Sequence, residues 1–385
     1  MLNKCVIVPD SFKHTMSAIE ICQVIADRIQ HFFPTCRIVQ IPVADGGEGT
    51  VDCFLHTGQA KKVQLTVHGP YHEMLDVCYA RLVDTAVIEM AQAAGLPLVE
   101  GRPDPAATTT FGVGEMVRHA VEHGCSKIVI GLGGSCTNDG GTGLAAALGT
   151  QFFNQAGQAF VPTGGTLADI TRIDISQTTE LLAGCSVIAM CDVDNPMFGP
   201  EGAAYIYAPQ KGADRQQVET LDQNLRHLAA VIQSNLGLDV SQMPGAGAAG
   251  AMGAGIVAFL SGRLQSGIQT VLDLVDFDQV IEDADLVITG EGKIDAQSLR
   301  GKVVIGVADR AKKKSVPVVV IAGDIGQGAE AAYEKGVSAI FSTNRLAVPF
   351  SEARKTSRED LAATAESILR LIRVTGGVDD HAGHS

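Results

Sequence analysis

The chain has 385 residues, 46% of them hydrophobic and 19% charged, a composition typical of a folded protein with ample apolar material for buried sheets. Its formal net charge of −14 argues against nucleic acid or an anionic membrane as the main partner, because both require basic surfaces. A chain of this length exceeds the usual size of one hydrophobic core, so we expect two domains.

The cysteines and the N-terminal segment indicate the compartment. Nine cysteines are scattered without a CxxC pair, a pattern typical of reduced thiols that pack as small apolar side chains. Met1 is followed almost at once by the strand-like segment CVIVPD, with no apolar segment of the signal-peptide kind. The longest uncharged stretch, 240–262, is too rich in glycine for a membrane span. We therefore expect a cytoplasmic protein.

The beginning of the chain predicts a β-α-β unit. The apolar run Val6–Val8 is followed by the turn PDSFKHT, and Ser17 with Glu20 has the spacing of a capping box at a helix start. Apolar residues recur at helical spacing up to Phe32, and a second strand follows at 37–41. This order of elements implies a parallel sheet with right-handed crossovers.

The pattern changes in the middle of the chain and returns near its end. Residues 61–90 alternate between apolar and polar in short bursts, as the hairpins of a mixed sheet do. Short buried strands are predicted at 127–130 and 187–190. Strand–loop–helix patterning returns with the apolar runs 286–288 and 318–321.

This distribution predicts an α/β protein with two α/β domains. Residues 1–64 and 270–376 are expected to form one doubly wound, Rossmann-like domain with a parallel sheet. Residues 65–269 are expected to form an inserted α/β domain with a mixed sheet. The last residues, 377–385, are expected to be a disordered tail.

The 43 glycines are not spread evenly: they concentrate in four loops, and in three of these loops acidic or amide side chains lie among them. A flexible linker would carry glycine with serine instead. Small residues let backbone N–H groups surround an anion, while carboxylates can hold a divalent cation or accept a proton. The loops are ADGGEGT (44–50), GLGGSCTNDGGTG (131–143), PGAGAAGAMGAG (244–255) and TGEGKID (289–295).

The loop at 131–143 gives the clearest indication of phosphate binding. It follows a predicted strand and precedes a helix-like segment, so its N–H groups would point from a helix N-terminus, where the dipole favours an anion. An ordinary left-handed turn is the alternative. The side chains of Ser135, Thr137, Asn138 and Asp139 offer more hydrogen-bonding capacity than such a turn requires, which favours a functional loop.

Carboxylates at two predicted strand ends suit a magnesium ion, which prefers oxygen ligands. In CDVDNP, Asp192 and Asp194 end a buried strand, where open α/β sheets bind ligands. An Asx turn before Pro196 explains Asp194 equally well. In TGEGKID, Glu291 and Lys293 would reach metal and phosphate, and a salt-bridged turn is the alternative.

Further charged residues stand after the first strand and in a Pro/Gly segment. PDSFK contains Asp10, Ser11 and Lys13, and PQKGA contains Lys211. Either lysine alone would more often be surface charge. The sequence has no P-loop and no HExxH. The glycines at 245, 247 and 250 match GxGxxG, but no strand is predicted before them, so the dinucleotide-binding fingerprint lacks its context.

In order along the chain, from Pro9 to Gly323, a series of motifs resembles that of bacterial glycerate kinases, the group without a P-loop. The resemblance implies ATP-dependent phosphorylation of D-glycerate, with Mg²⁺. It favours 2-phosphoglycerate as the product and leaves 3-phosphoglycerate possible. The motifs are PDSFK, ADGGEGT, TTTFGVGE, GGSCTNDGGTG, CDVDNPMFG, PQKGA, PGAGAAGAMG and TGEGKIDAQSLRGK.

With this resemblance, the candidate residues take roles in phosphoryl transfer. The nucleotide-binding candidates are Gly133, Gly134, Ser135, Thr137, Asn138, Asp139, Gly247 and Gly250. The metal candidates are Asp192, Asp194 and Glu291. The candidates for orienting or deprotonating the glycerate hydroxyl are Asp45 and, second, Glu48. The candidates for the substrate carboxylate and the γ-phosphate are Lys13, Lys211 and Lys293, with Asp10 and Ser11 also assigned to substrate binding. Asp192 and Lys293 are also candidates for catalytic residues.

Two other functions compete with the kinase interpretation. GxGxxG suggests an NAD-dependent oxidoreductase of a small hydroxy acid, and a non-catalytic sensor of sugar acids would use the same scaffold without turnover. The partners expected are glycerate and ATP, with neither nucleic acid nor membrane. The chain is expected to be a monomer or a homodimer.

Overall fold

The computed structural model describes residues 2–44, 46–296, 298, 302–346 and 348–375. They separate into two compact units. Unit 1 contains the described residues up to 44 and from 268 onwards, and unit 2 contains those between 45 and 267.

The strands in chain order are β1 (Lys4–Pro9), β2 (Arg37–Gln40), β3 (Lys61–His68), β4 (Met74–Leu82), β5 (Thr85–Glu89), β6 (Lys127–Gly131), β7 (Gln151–Phe153), β8 (Ala159–Phe160), β9 (Arg172–Asp174), β10 (Ser186–Met190), β11 (Arg263–Gln265), β12 (Leu286–Ile294), β13 (Val318–Ile325) and β14 (Val337–Ser342). The α-helices are α1 (Ala18–Phe32), α2 (Thr50–His56), α3 (Ala91–Ala94), α4 (Phe111–Glu122), α5 (Thr142–Leu148), α6 (Ser176–Leu181), α7 (Ala203–Tyr207), α8 (Arg215–Leu236), α9 (Ala248–Leu260), α10 (Gly267–Leu274), α11 (Phe277–Val280), α12 (Val303–Lys313), α13 (Phe350–Ala353) and α14 (Ser357–Thr375). Short 3-10 turns lie at Leu96–Val99, Leu167–Asp169, Pro209–Lys211 and Ala329–Ala332.

Unit 1 is built on a parallel sheet with the strand order β14-β13-β12-β1-β2, which confirms the predicted parallel sheet. In the centre of this sheet, Val6 pairs with Val287 on one side and with Val39 on the other. The predicted capping box starts α1: Ser17 Oγ accepts from the backbone N–H of Glu20 at 3.3 Å, and the Glu20 carboxylate accepts from the Ser17 N–H at 2.8 Å.

Helices cover both faces of the unit 1 sheet. On one face α1 and α14 pack together over Cys5, Ile7 and Ile288. Residues alternate between the faces of a strand, so Val6 and Val287 point to the opposite face, where α12 contacts β1, β12 and β13. The chain therefore leaves the neighbouring strands β1 and β12 towards opposite faces. This is a topological switch point, the place at which doubly wound sheets bind ligands.

Unit 2 is built on a sheet with the strand order β11-β10-β6-β5-β4-β3. The strands from β11 to β5 run parallel, while β4 and β3 form antiparallel pairs, so the predicted mixed sheet is confirmed. The core on one face combines alternate strand residues such as Ile88 and Ile130 with apolar residues of α4, α5 and α9. A small antiparallel sheet, β8-β7-β9, completes the unit.

The domain borders drawn from the sequence stay a prediction. The packed units divide after residue 44 and after residue 267, and α2 contacts β4 and β5 of unit 2. The predicted tail at 377–385 lies outside the described residues. Within the described part of the chain, the helices are too short or too polar to cross a membrane.

Candidate active site

The glycines that end β6 let two loops approach each other closely. Gly133 N–H donates to the Gly46 carbonyl at 3.0 Å. A Cβ at Gly131 would lie 2.3 Å from the same carbonyl oxygen, and one at Gly133 would lie 2.5 Å from Gly47 Cα. The ADGGEGT loop therefore lies directly on the GLGGS loop. Gly133 is needed for this packing, and its N–H is used within the protein.

Asp139 fixes the end of the same loop. It is buried, and its carboxylate accepts hydrogen bonds from the N–H groups of Thr110, Gly141 and Gly143 and from the Thr110 hydroxyl, at 2.8 to 3.3 Å. Burial raises the pKa of Asp139, and these donors oppose the rise. The carboxylate connects the starts of α4 and α5, so it holds the loop in position from inside the protein.

Lys211 brings a buried positive charge to this loop. Its side chain is fully buried, and Nζ donates to Ser135 Oγ at 2.8 Å and to the Thr137 carbonyl at 2.7 Å. Burial lowers the pKa of Lys211 to about 8, while the Cys136 and Asp139 side chains favour its charged form. Lys211, which the sequence analysis assigned to the substrate, therefore contacts the loop that it assigned to the nucleotide.

The middle of the loop carries polar groups whose hydrogen bonds are not satisfied. Thr137 Oγ1 and both amide atoms of Asn138 are buried and have no hydrogen-bond partner among the described residues. Leaving a buried polar group unpaired costs roughly 1–3 kcal/mol. Groups of this kind in a folded protein indicate bound water, an ion or a ligand.

A second glycine-rich turn packs against this loop. Ala249, Gly250 and Ala251, at the beginning of α9, have φ values of +54°, +66° and +66°. A Cβ at Gly250 would lie 2.0 Å from the Thr137 carbonyl oxygen, and Gly140 N–H donates to the Gly250 carbonyl at 3.0 Å. Left-handed alanines are strained, and such strain clusters at ligand-binding sites.

The turn also contacts the CDVDNP segment. Gly247 N–H donates to the Asn195 carbonyl at 2.9 Å, and a Cβ at Gly247 would lie 2.3 Å from the Pro196 carbonyl oxygen. The residues before Gly245 form turns and no strand, and all of 237–247 lie in the described chain. GxGxxG is therefore not a strand–helix dinucleotide fingerprint here.

A cavity of about 230 Å³ in unit 2 lies where these segments meet. Its lining combines the charged residues Lys211 and Asp192 with apolar residues such as Leu96 and Met190. Of the lining residues, Leu96, Met190 and Tyr207 lie outside the motifs that the sequence analysis identified. The lining consists of Leu96, Leu132, Gly133, Gly134, Ser135, Met190, Cys191, Asp192, Val193, Tyr207, Gln210, Lys211, Ala248 and Ala249.

The two aspartates of CDVDNP differ in their positions. Asp192 is exposed and lines the cavity, and its Oδ1 accepts from Gly267 N–H at 3.0 Å. Asp194 is exposed and is not part of the cavity lining. Of the two, Asp192 is therefore better placed to face a ligand beside Lys211.

Glu89 is a buried acid that sequence reasoning missed. It ends β5, and its Oε1 accepts from Val51 N–H at the start of α2, at 2.6 Å. Burial raises the pKa of Glu89, and the nearby Asp52 and Glu48 carboxylates act in the same direction. Glu48 itself is exposed, and Asp45 lies outside the described residues. The sequence could have indicated Glu89, because it is an acid at the end of the apolar run TAVIE. The acids of CDVDNP were identified from the same kind of position.

In unit 1 the candidate residues gather at the switch point. Asp10 N–H donates to the Gly290 carbonyl at 2.8 Å, and Asp10 Oδ1 accepts from Ser11 N–H at 2.6 Å. Glu291 is buried on the neighbouring strand, and its Oε1 has no hydrogen-bond partner among the described residues. Burial raises the pKa of Glu291 to about 7, and the Asp10 and Asp295 carboxylates act in the same direction.

The lysines of unit 1 are more open. Lys293 Nζ lies 3.5 Å from Asp295 Oδ2, and the Lys293 side chain is 55% exposed, so the salt bridge of the alternative interpretation is present. Lys13 is exposed and lines a cavity in unit 1. Among the described residues, no three His, Cys, Asp or Glu side chains form a metal-binding cluster.

These features belong to an α/β protein in which glycine-rich loops other than a P-loop surround a buried lysine. The chain matches the model of the glycerate kinase family over residues 5–373. It is 44% identical over 374 residues to the glycerate kinase of Bacillus cereus, with 96% of this chain and 98% of the relative covered. It is 41% identical over 374 residues to the glycerate 2-kinase of Escherichia coli (strain K12), with the same two shares covered, 96% and 98%.

A solved structure agrees with these relatives. It is a Salmonella typhimurium LT2 protein that carries the provisional name glycerate kinase 2, with a TM-score of 0.87 and 38% sequence identity. The comparison covers 98% of this chain and 100% of the other. The chain therefore belongs to the glycerate kinase family, the family that the sequence motifs resemble. It is an ATP-dependent phosphotransferase that acts on an alcohol group.

Proposed function

We propose that the chain transfers the γ-phosphoryl group of ATP to the 2-hydroxyl of D-glycerate. The observation that carries this proposal is the buried Lys211, which donates to the glycine-rich loop and lines the same cavity as Asp192. A fixed cation in a site shielded from water stabilises charge that develops on a transferring phosphoryl group. The name of the Escherichia coli relative, glycerate 2-kinase, supports the choice of hydroxyl.

The unit 2 cavity is proposed to hold part of the nucleotide. Its lining residues Leu96, Met190 and Tyr207 suit a face of the base, and its glycines suit phosphates. Thr137 Oγ1 and the Asn138 amide, which have no partner in the described part of the chain, supply further hydrogen bonds towards the nucleotide or towards water that it orders. Asp139, with Gly133, Gly247 and Gly250, acts by shaping these loops.

Mg²⁺ fits the carboxylates that remain. In phosphoryl-transfer sites it is held by one or two carboxylates together with substrate phosphates, and it neutralises charge on the phosphate oxygens. Asp192 is the proposed ligand in unit 2, with Asp194 as the further candidate there, and Glu291 is the proposed ligand in unit 1. Oε1 of the buried Glu291 has no hydrogen-bond partner among the residues that the structure describes, which supports this assignment, because a carboxylate oxygen without a donor can bind a hard cation.

The proposed reaction moves one phosphoryl group and one proton. The glycerate 2-hydroxyl oxygen attacks the γ-phosphorus, the bond between this phosphorus and the β,γ-bridging oxygen breaks, and ADP leaves. Asp45 is proposed to orient the hydroxyl and accept its proton, with Glu48 as second candidate. Lys211 and Lys293 are proposed to face the phosphoryl charge, and Asp10, Ser11 and Lys13 the glycerate.

Release of ADP tests the proposed function. Purified protein should form ADP only when D-glycerate, ATP and Mg²⁺ are all present, and omission of either glycerate or Mg²⁺ should return the rate to background. The same preparation should not reduce NAD in the presence of glycerate. ADP formation that stays at background with both isomers of glycerate, across Mg²⁺ concentrations, would contradict the proposal.

A further inference from the structure

Unit 1 contains a cavity of about 300 Å³ to which the proposed reaction assigns only Lys13. It lies at the carboxyl ends of β13 and β14 and beside the loop that follows β1. Parallel α/β sheets bind ligands at this edge, and the volume is at the lower end of the range of about 300–1,000 Å³ for ligand pockets. Its charged and amide side chains are Lys13, Asp324, Asn344, Arg354 and Asp360.

The charges of this cavity suit a small acid that also carries hydroxyl groups. A guanidinium such as that of Arg354 can bind a carboxylate through two parallel hydrogen bonds, and an ammonium such as that of Lys13 binds it as a point charge. Asp324 and Asp360 are acceptors for hydroxyl donors. Phe12 and Phe350 supply an apolar wall for the carbon chain.

Local hydrogen bonds orient the two acids. Asp324 Oδ1 accepts from Ile325 N–H at 3.0 Å, and Asp360 Oδ2 accepts from the Thr356 hydroxyl at 2.7 Å. An ionised carboxylate has more lone pairs than these contacts use, so each group can accept a ligand hydroxyl as well. A simple dicarboxylate or an inorganic phosphate would leave these acceptors facing negative charge, which favours a hydroxy acid.

We propose that this cavity binds the acceptor substrate, a small hydroxy acid, and that Arg354 together with Lys13 binds its carboxylate. The proposal rests on the proposed function, in which glycerate is such an acid. It adds Arg354 as a specificity-determining residue, since acids without a hydroxyl and alcohols without a carboxylate would each satisfy only part of the lining.

The test uses the full chain with Arg354→Gln and Lys13→Gln. Both side chains are exposed, so neither change removes core packing, and thermal melting verifies the fold. Lys355→Gln is the matched control: it removes a cation next to Arg354 in sequence whose Nζ pairs with Glu352 at 2.9 Å and which is not part of the cavity lining. D-glycerate is titrated calorimetrically without ATP, and KM values are measured for glycerate and for ATP.

We expect the Kd and the KM for glycerate to rise about tenfold or more in each cavity variant, because a hydrogen bond to a charged group is lost. The KM for ATP should stay within about twofold, and Lys355→Gln should match the wild type. Arg354→Lys should recover part of the loss, since it keeps the charge without the planar fork.

The outcomes separate this proposal from the proposed function. If the wild type binds glycerate but forms no ADP, and both cavity variants bind glycerate more weakly, the cavity assignment is supported and the kinase reaction is contradicted. Normal glycerate Kd and KM in both variants of an active enzyme would overturn the cavity assignment alone. A wild-type protein that does not bind glycerate overturns it as well.

Discussion

Lys211 is the residue at which the requirements of folding and of the proposed reaction differ most. A buried ammonium costs free energy because it loses its hydration, and two hydrogen bonds, to Ser135 and Thr137, compensate only part of this cost. The lowered pKa, about 8, reflects the same cost. A protein that only needed to fill this space would be served as well by an apolar side chain.

Lys211→Met is the first prediction. Methionine has a similar length and needs no hydration, but it leaves Ser135 Oγ and the Thr137 carbonyl without their donor. Because these two effects oppose each other, the free energy of unfolding at pH 7 should change by no more than about 3 kcal/mol. The kcat/KM for ATP should fall by about a hundredfold or more, a loss of about 2.7 kcal/mol at 1.36 kcal/mol per decade. Urea unfolding and steady-state kinetics measure the two effects. A large stability loss with normal kcat/KM would make Lys211 a structural anchor instead.

The pH dependence of stability gives a second prediction at the same residue. The pKa of Lys211 is about 8 in the folded chain, and about 10.4 is the value for an unfolded lysine, so between these values the unfolded chain binds the extra proton. The free energy of unfolding contributed by this group therefore rises with pH in that window and is constant below it. The free energy of unfolding of the wild type minus that of Lys211→Met should increase from about pH 8 to about pH 10. A flat or falling difference would show that the lysine is not buried as a cation.

Asp192→Asn is the third prediction. Asparagine keeps the volume, and its Oδ1 can still accept from Gly267 N–H, so the melting temperature should change little. Without the charge, Mg²⁺ binding at the cavity weakens, and turnover should fall by about a hundredfold with a higher Mg²⁺ requirement. Turnover against Mg²⁺ concentration and thermal melting are measured together.

Asp194→Asn separates the two aspartates of the segment. Because Asp194 is not part of the cavity lining, Asp194→Asn should lose less turnover than Asp192→Asn. Near-wild-type turnover in Asp192→Asn, with a clear drop in melting temperature, would make Asp192 a structural cap. A larger loss in Asp194→Asn would transfer the metal assignment to that residue.

At the scale of elements, the site depends on loops that pack against each other at glycines. Sequence reasoning identified these loops because glycine, carboxylate and amide residues are dense in each. It did not predict which loops touch: Lys211 and Ser135 are 76 positions apart, and only the fold brings them together. The contacts at Gly250, Gly133 and Gly247 are likewise set by tertiary packing, which no local pattern reports.

Gly250→Ala is the fourth prediction. The added Cβ would lie 2.0 Å from the Thr137 carbonyl oxygen, so the turn and the loop must separate, and φ of +66° is unfavourable for alanine. We expect a stability loss of several kcal/mol by steric and backbone strain together. The KM for ATP should also rise, because the loop that carries Thr137 and Asn138 is displaced.

Gly237→Ala is the matched control for this change. Gly237 ends α8 with φ of +71°, and a Cβ there meets no atom within 4 Å. The Gly237→Ala variant should therefore lose only about 1–2 kcal/mol of stability, because of the left-handed backbone, and its KM for ATP should stay normal. Equal effects of the two substitutions on KM would contradict a role for close packing in shaping the site.

At the scale of the whole molecule, part of the order of strands and helices was predicted from the sequence, because hydrophobic periodicity is a local property; β11 and the small sheet β8-β7-β9 were not predicted. Parallel pairing in unit 1 and mixed pairing in unit 2 follow from that order. The placement of α2 was harder to predict. It contacts β4 and β5 and groups with unit 2, and the border near residue 64 stays a prediction.

The central claim is that the chain places the phosphoryl group of ATP on the 2-hydroxyl of glycerate. Proton-coupled ³¹P NMR of a reaction with D-glycerate, ATP and Mg²⁺ tests it directly, because the splitting of a phosphate monoester counts the protons on the carbon that carries it. We predict a new monoester signal split into a doublet by the single proton on C2, growing in step with ADP. A triplet would identify 3-phosphoglycerate and contradict the choice of hydroxyl, and the absence of any new monoester would contradict the kinase activity.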